Sequence, residues 1–146
     1  MPGYSGTPLA QKLGLKPPLD VLLLGAPADY RAWLGDLPSG VSFVGSTKRP
    51  VQAAHLFVTR RSELARHLTK LRRELAQTGF VWVSWPKKSS QAKRRQAVLP
   101  DRVATDITED TIREVALPIG FVDVKVCAVS DVWSGLKLMI RKTERR

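Results

Sequence analysis

The sequence predicts an α/β protein whose mostly parallel sheet of about six strands ends in an antiparallel hairpin. Three observations carry that prediction. Short apolar runs bounded by Gly and Pro alternate with segments of helical period, the order expected of parallel strands joined by crossovers. The run Phe80-Val81-Trp82-Val83-Ser84-Trp85, between Gly79 and Pro86, is apolar on both faces, and such a strand belongs inside a sheet covered by helices on both sides. The last two apolar runs, Val122–Val129 and Leu136–Ile140, are separated only by Ser130–Gly135, a link short enough for a hairpin.

Taken in order, Thr7-Pro8 opens a short helix, with Thr7 as N-cap, Pro8 as the first helical residue and Gly14 as the stop. Pro17-Pro18 then forces an extended entry into the first strand, Val21–Leu24. Asp29 can cap a second short helix, in which Tyr30, Trp33 and Leu34 share one face before Gly35 ends it. Val41–Val44 and His55–Val58 are the next strands, and no helical pattern joins them, which departs from strict alternation. From Ser62 or Thr59 to about Gln77 runs the best helix of the chain. Leu64, Leu68, Leu71 and Leu75 form its core face, Arg66, Lys70, Arg73 and Glu74 point away, and Gly79 closes it. Asp106-Ile107-Thr108-Glu109 has the spacing of a capping box and starts a helix through about Leu117. These elements make a single Rossmann-like three-layer sandwich.

The chain of 146 residues is 43% hydrophobic and 25% charged, an ordinary composition for one globular domain. Residues 1–146 are therefore read as one domain, with a basic flexible loop at about 87–105. No apolar run reaches the length of a membrane span, no secretory pattern opens the chain, and the lone Cys127 has no internal disulfide partner. A cytoplasmic location and no membrane partner are expected. The net charge is +11, and its excess is local: residues 60–95 hold eleven basic residues against two acidic ones. That imbalance points to an anionic partner.

Several stretches share one further pattern: Tyr4–Ala10, Leu23-Leu24-Gly25-Ala26-Pro27, Thr59-Arg60-Arg61, Trp82–Lys88, Thr105–Asp110, Gly120–Val129 and Trp133–Leu138. Together they resemble the bacterial domain-of-unknown-function family 3052, a resemblance that spans almost the whole chain and implies no activity. The strand order is also similar to a truncated class I methyltransferase. The cofactor residues of that fold are not matched. The first turn is Gly25-Ala26-Pro27-Ala28-Asp29-Tyr30 in place of Gly-x-Gly-x-x-Gly, and Pro27 removes a backbone N–H where an anion wants one. The second strand ends in Val44-Gly45-Ser46-Thr47, with no acid for ribose hydroxyls. No cofactor is expected on this ground, and S-adenosylmethionine is disfavoured.

Ligands of open α/β sheets bind beyond the carboxyl ends of the parallel strands. At that edge the expected anion-binding residues are Arg60, Arg61, Lys87 and Lys88, and the expected crevice wall is Gly25, Ala26, Pro27, Tyr30, Trp85 and Trp133. Arg61 also lies near a helix N-terminus, which favours anions. His55 and His67 have no metal-ligand spacing and read as structural or surface residues, so no metal site is expected. Cys127 reads as a small core residue and Ser84 lacks a nucleophile elbow. The expected function is a non-catalytic module that binds an anionic small molecule or an acidic partner at this edge. The alternatives are a divergent S-adenosylmethionine-dependent methyltransferase-like enzyme, and non-specific nucleic-acid binding through residues 60–95.

Overall fold

The computed structural model of the chain describes residues 8–46, 48–87 and 105–145. The Thr7 cap, Lys88 and most of the expected basic loop lie outside them. In chain order the elements are α1 (Leu9–Lys12), β1 (Leu19–Leu24), α2 (Tyr30–Leu34), β2 (Val41–Val44), β3 (Val51–Phe57), α3 (Arg61–Glu74), β4 (Leu75–Pro86), α4 (Glu109–Ala116), β5 (Phe121–Ala128) and β6 (Trp133–Ile140). The six strands form one sheet in the order β2-β1-β3-β4-β6-β5. Pairing is parallel from β2 to β4 and antiparallel at β4–β6 and β6–β5.

Two-sided burial is visible residue by residue along the central strands. On one face Ala54, Leu56, Val81, Val83 and Trp85 pack with Leu64, Leu68 and Leu71 of α3 and Ile112 and Ala116 of α4. On the other, Ala53, Phe57 and Trp82 pack with Leu9 and Leu13 at α1 and Tyr30 and Leu34 of α2. The indole Nε1–H of Trp82 donates to the Leu13 carbonyl at 2.9 Å, which ties the end of α1 to the middle of the sheet. A buried bond of this kind contributes roughly 0.5–1.5 kcal/mol.

Among its described residues the link between β2 and β3 contains no helix, as the missing periodicity predicts. Parallel crossovers ordinarily take a dozen or more residues, whereas here six residues, 45–50, return the chain from the carboxyl edge to the amino edge. Register explains how. Leu22 stands opposite both Val44 and Ala54, so Val51 begins only three residues below the level of Val44. That is a climb of about 10 Å and a lateral step of two strand spacings, also about 10 Å, within reach of a six-residue extended link.

Several boundaries differ from expectation: Pro8 caps α1 without entering it, and β3 and β6 begin earlier, at Val51 and Trp133. Helix α3 ends at Glu74, and Leu75, expected on its core face, has extended backbone (φ −73°, ψ 139°) and pairs with Val51 in β4. Gly79 therefore does not close the helix. It lies inside β4 beside the register shift, where a Cβ would come within 2.9 Å of the carbonyl oxygens of Val51 and Gln52. The cap of α4 is Thr108, not Asp106. The Thr108 hydroxyl accepts from the Thr111 amide at 3.2 Å, and the Thr108 amide donates to the Thr111 hydroxyl at 3.1 Å. Asp29 precedes α2 as expected but makes no capping hydrogen bond.

Replacing Gly79 by Ala is expected to cost about 1–3 kcal/mol, because the new methyl meets two backbone oxygens that cannot retreat cheaply. Gly45→Ala, where a Cβ meets nothing within 4 Å, should change stability by less than about 0.5 kcal/mol. Urea denaturation of both variants is the measurement, and equal effects would refute the close-approach account.

Candidate functional site

The strand order reverses between β1 and β3, so the carboxyl ends of these two strands bound the crevice in which an open α/β sheet takes its ligand. Gly25 makes the turn out of β1 with φ +74°, and a Cβ there would lie 2.7 Å from the Phe57 carbonyl oxygen at the end of β3. The two strand ends are thus in backbone contact at this point, and only glycine fits. Chain continues through Ala26 and Pro27, both half-buried. The Pro27 carbonyl accepts from the Tyr30 amide at 3.1 Å, which turns the chain into α2.

Aromatic rings fill the layer beneath this turn. Tyr30 stands edge-to-face on Phe57, Phe43 and His55, with centroids 5.2–5.5 Å apart. His55 stacks on Phe57 at 4.4 Å, and Trp133 meets Phe57 edge-on at 5.1 Å. Trp133 is half-buried there, whereas Trp85 lies on the opposite face of the sheet, in the core with α3 and α4. The two tryptophans expected to share one wall are separated by the sheet. Odd and even positions of β4 point to opposite faces, and Trp85 has the other parity from Ser84, which lies on the Tyr30 side.

A polar chain crosses this aromatic layer, and sequence reasoning missed it. The Tyr30 hydroxyl is 2.8 Å from His55 Nδ1, and His55 Nε2 is 2.7 Å from the Ser84 hydroxyl. All three side chains are buried. A neutral imidazole, one nitrogen donating and the other accepting, serves both contacts at once. Burial pushes the His55 pKa down from 6.5 to about 3 and raises that of Tyr30. The relay holds α2 against β3 and β4 and exposes no nucleophile to solvent.

The expected cations have unequal surroundings. Arg61 begins α3, and its backbone amide donates to the Asp106 carboxylate at 2.7 Å. Its guanidinium donates to Glu114 of α4 at 2.7 Å. The helix N-terminus and Arg61 itself therefore face acids of the same chain. Thr59 is held in the same way, its carbonyl accepting from the Thr105 hydroxyl and the Asp106 amide. Arg60 is exposed beyond β3. Lys87, half-buried, follows β4, and its amide donates to the Val132 carbonyl at 2.7 Å, which brings the β5–β6 turn to this edge. Parallel register pairs Phe57 with Ser84, so Arg60 and Lys87 each stand three residues past a matched pair. Lys88 is outside the described residues.

Two further ionisable residues, Asp123 and Cys127, have structural surroundings. Asp123 pairs with Arg113 at 3.0 Å, and that guanidinium holds its carboxyl below the usual carboxylate range. Arg113 also binds Glu109 and Asp110, fixing α4 beside β5. Burial pushes the Cys127 thiol up, against the pull of Lys12, Lys125 and Lys87, so it is no ready thiolate. Among the described residues no cluster of His, Cys, Asp and Glu could hold a metal ion, and no helix is long and apolar enough to cross a membrane.

The fold has solved counterparts. The chain is similar to a Sulfolobus solfataricus protein assigned to the type 11 methyltransferases, with 13% identity, coverage of 94% of this chain and 92% of that one, and a TM-score of 0.62. It is similar to a SAM dependent methyltransferase from Aquifex aeolicus, with 16% identity, coverage of 90% and 87%, and a TM-score of 0.58. It spans about half the length, 51%, of magnesium protoporphyrin IX methyltransferase from Synechocystis PCC 6803, which it matches over 70% of its own residues at 15% identity with a TM-score of 0.48. No family model matches the chain, and no curated protein matches it. Identities this low show a shared methyltransferase fold. The expectation of no cofactor is corrected by the same likeness: the fold is one that an S-adenosylmethionine-dependent enzyme uses.

The buried imidazole makes stability depend on pH. The folded pKa of about 3 lies below the ordinary 6.5, so between these values the unfolded chain binds a proton that the folded chain does not. Stability is full above 6.5 and falls as pH drops, by about 1.4 kcal/mol per unit. From neutral pH to two units below 6.5 the loss is about 2.7 kcal/mol. Urea titrations of the wild type and His55→Gln over this window should show a slope flatter by one proton in the variant. Parallel slopes would refute the assignment.

Proposed function

We propose that the chain binds S-adenosylmethionine at the carboxyl edge of its sheet, in the manner of a methyltransferase. The observation that carries this reading is the coincidence of a methyltransferase fold over more than nine-tenths of the chain with a glycine turn at the β1–β3 reversal. The backbone fits such a ligand. Gly25 keeps the turn tight, and Gly45 at the end of β2 leaves open space around its Cα. The polar partners differ from the usual set. In place of an acid ending β2 there is Ser46, and the exposed Asp29, whose carboxylate caps nothing, is the acid in the first turn. Asp29 and Ser46 are assigned to the ribose hydroxyls, and Arg60 and Lys87 to the amino-acid carboxylate or to an anionic substrate. When bound, the cofactor supplies an electrophilic methyl group on a sulfonium. The resemblance to family 3052 rests on its motifs alone and is compatible with this function.

Thermal denaturation with S-adenosylmethionine, and separately with S-adenosylhomocysteine, tests the proposal. Ligand at a hundred times its dissociation constant adds about 2.7 kcal/mol, or roughly 5–10 °C for a domain of this size. Asp29→Asn should shrink the increment without lowering the melting temperature of the free protein. Gly25 variants are unsuitable, because a side chain at φ +74° against a carbonyl disturbs the fold itself. Absence of a shift with either compound at millimolar concentration would overturn the proposal.

A further inference from the structure

A second surface, away from the carboxyl edge, gathers four cations that form no ion pair among the described residues. An open groove of about 690 Å³ runs along the outer flank of α3 and against the β2–β3 link. Ala65 and Thr69 are small residues of its lining, which α3 completes with Arg66, Lys70 and Arg73 and the link with Arg49. Glu74 is the one carboxylate among the lining residues. Among the described residues none of these four cations forms an ion pair, in contrast to Arg61, Arg72 and Arg113, which all do.

The arrangement selects the shape of the anion. Arg66, Lys70 and Arg73 follow one another at four and three residues, so they form a row about 10 Å long on one helix face. A compact dianion is held best by groups that converge on it, whereas a row suits a repeating charge. Duplex nucleic acid carries about one negative charge per 1.7 Å of axis, so such a row faces several phosphates at once. No aromatic side chain lines the groove, and single-strand binding relies on aromatic stacking of unpaired bases. Local potential agrees with this sign. His67, on the same helix, is held below its ordinary value by burial first and then by Arg66, with Lys70 adding and Glu63 opposing.

We propose that the groove formed by the flank of α3 and the Arg49 link binds the phosphate backbone of a double-stranded nucleic acid without sequence preference. Four cations limit the contact to about four phosphates. Affinity then falls with a slope of about −3.6 in log–log salt dependence, roughly a hundredfold between 50 and 200 mM salt. This site stands independently of any cofactor at the carboxyl edge, since its residues lie past the first turn of α3 and on the link to β3.

The experiment is fluorescence anisotropy of the full chain with a fluorescein-labelled DNA duplex of about two helical turns, titrated across that salt range. The variant Arg66→Gln/Lys70→Gln/Arg73→Gln keeps helix propensity and should lower the slope by about 2.7. The variant Lys12→Gln/Lys16→Gln/Lys125→Gln removes equal charge from the opposite face and should leave the slope unchanged. Circular dichroism verifies that both variants fold. Equal losses in the two variants, no binding at low salt, or tighter binding of a single strand of the same length would each overturn the proposal. Tighter binding to phosphatidylserine vesicles, lost in the first variant, would overturn it in favour of a membrane surface.

Discussion

The constraint on which this structure depends is the burial of β3 and β4 on both faces. A strand such as Val81-Trp82-Val83, with each residue essentially inaccessible, is stable only where two separate apolar layers cover it. At about 25 cal/mol per Å² of apolar surface, leaving either face bare would forfeit several kcal/mol for a Trp82 or a Leu56. The layers come from different parts of the chain. The face holding Leu56 and Val83 is met by α3 and α4, and the face holding Phe57 and Trp82 by α1 and α2. Parallel pairing then follows, because α3 must return the chain to the amino edge between β3 and β4, and with it the strand ends gather at one edge.

At that edge the chain treats its charges with restraint. Asp106 occupies the start of α3 and Glu114 the guanidinium of Arg61, so an anion arriving there would compete with covalently tethered carboxylates. These contacts are exposed, and each is worth little. Together they leave Arg60 and Lys87 as the expected cations that form no ion pair among the described residues. The aromatic layer below is the opposite case. Its single titratable chain, Tyr30–His55–Ser84, is neutral because burial disfavours every charged alternative.

The strands and the longer helices are legible in the sequence because burial is written into their periods. Val41–Val44 is bounded as expected, and Leu64, Leu68 and Leu71 mark the inner face of α3. Register is not written there. Nothing in either local segment says that Ser84 falls diagonally across from His55, or that Tyr30 reaches the far nitrogen of the same ring. A histidine and a serine inside otherwise apolar strands were the available signal, since a buried polar group demands a partner. The ending of α3 is hidden for a related reason. Leu75 suits the apolar face of a helix and the start of a buried strand equally well, and its pairing with Val51 decides between them. The separation of Trp85 from Trp133 follows from parity along β4, but only once β6 is known to lie beside it.

The departure from alternation between β2 and β3 accounts for the open flank of α3. A crossover helix in that position would lie beside α3, above Leu22 and Leu24 of β1, and would bury the flank that carries Ala65 and Thr69. The six-residue link instead leaves Leu24 only partly buried and that flank open, and it delivers Arg49 to the groove. β2 itself ends without an acid, and its next residue, Gly45, leaves room around its backbone. Omission of one helix thus has a physical consequence on the face of the sheet that α3 covers: a cationic groove along α3 that a helix would otherwise have covered.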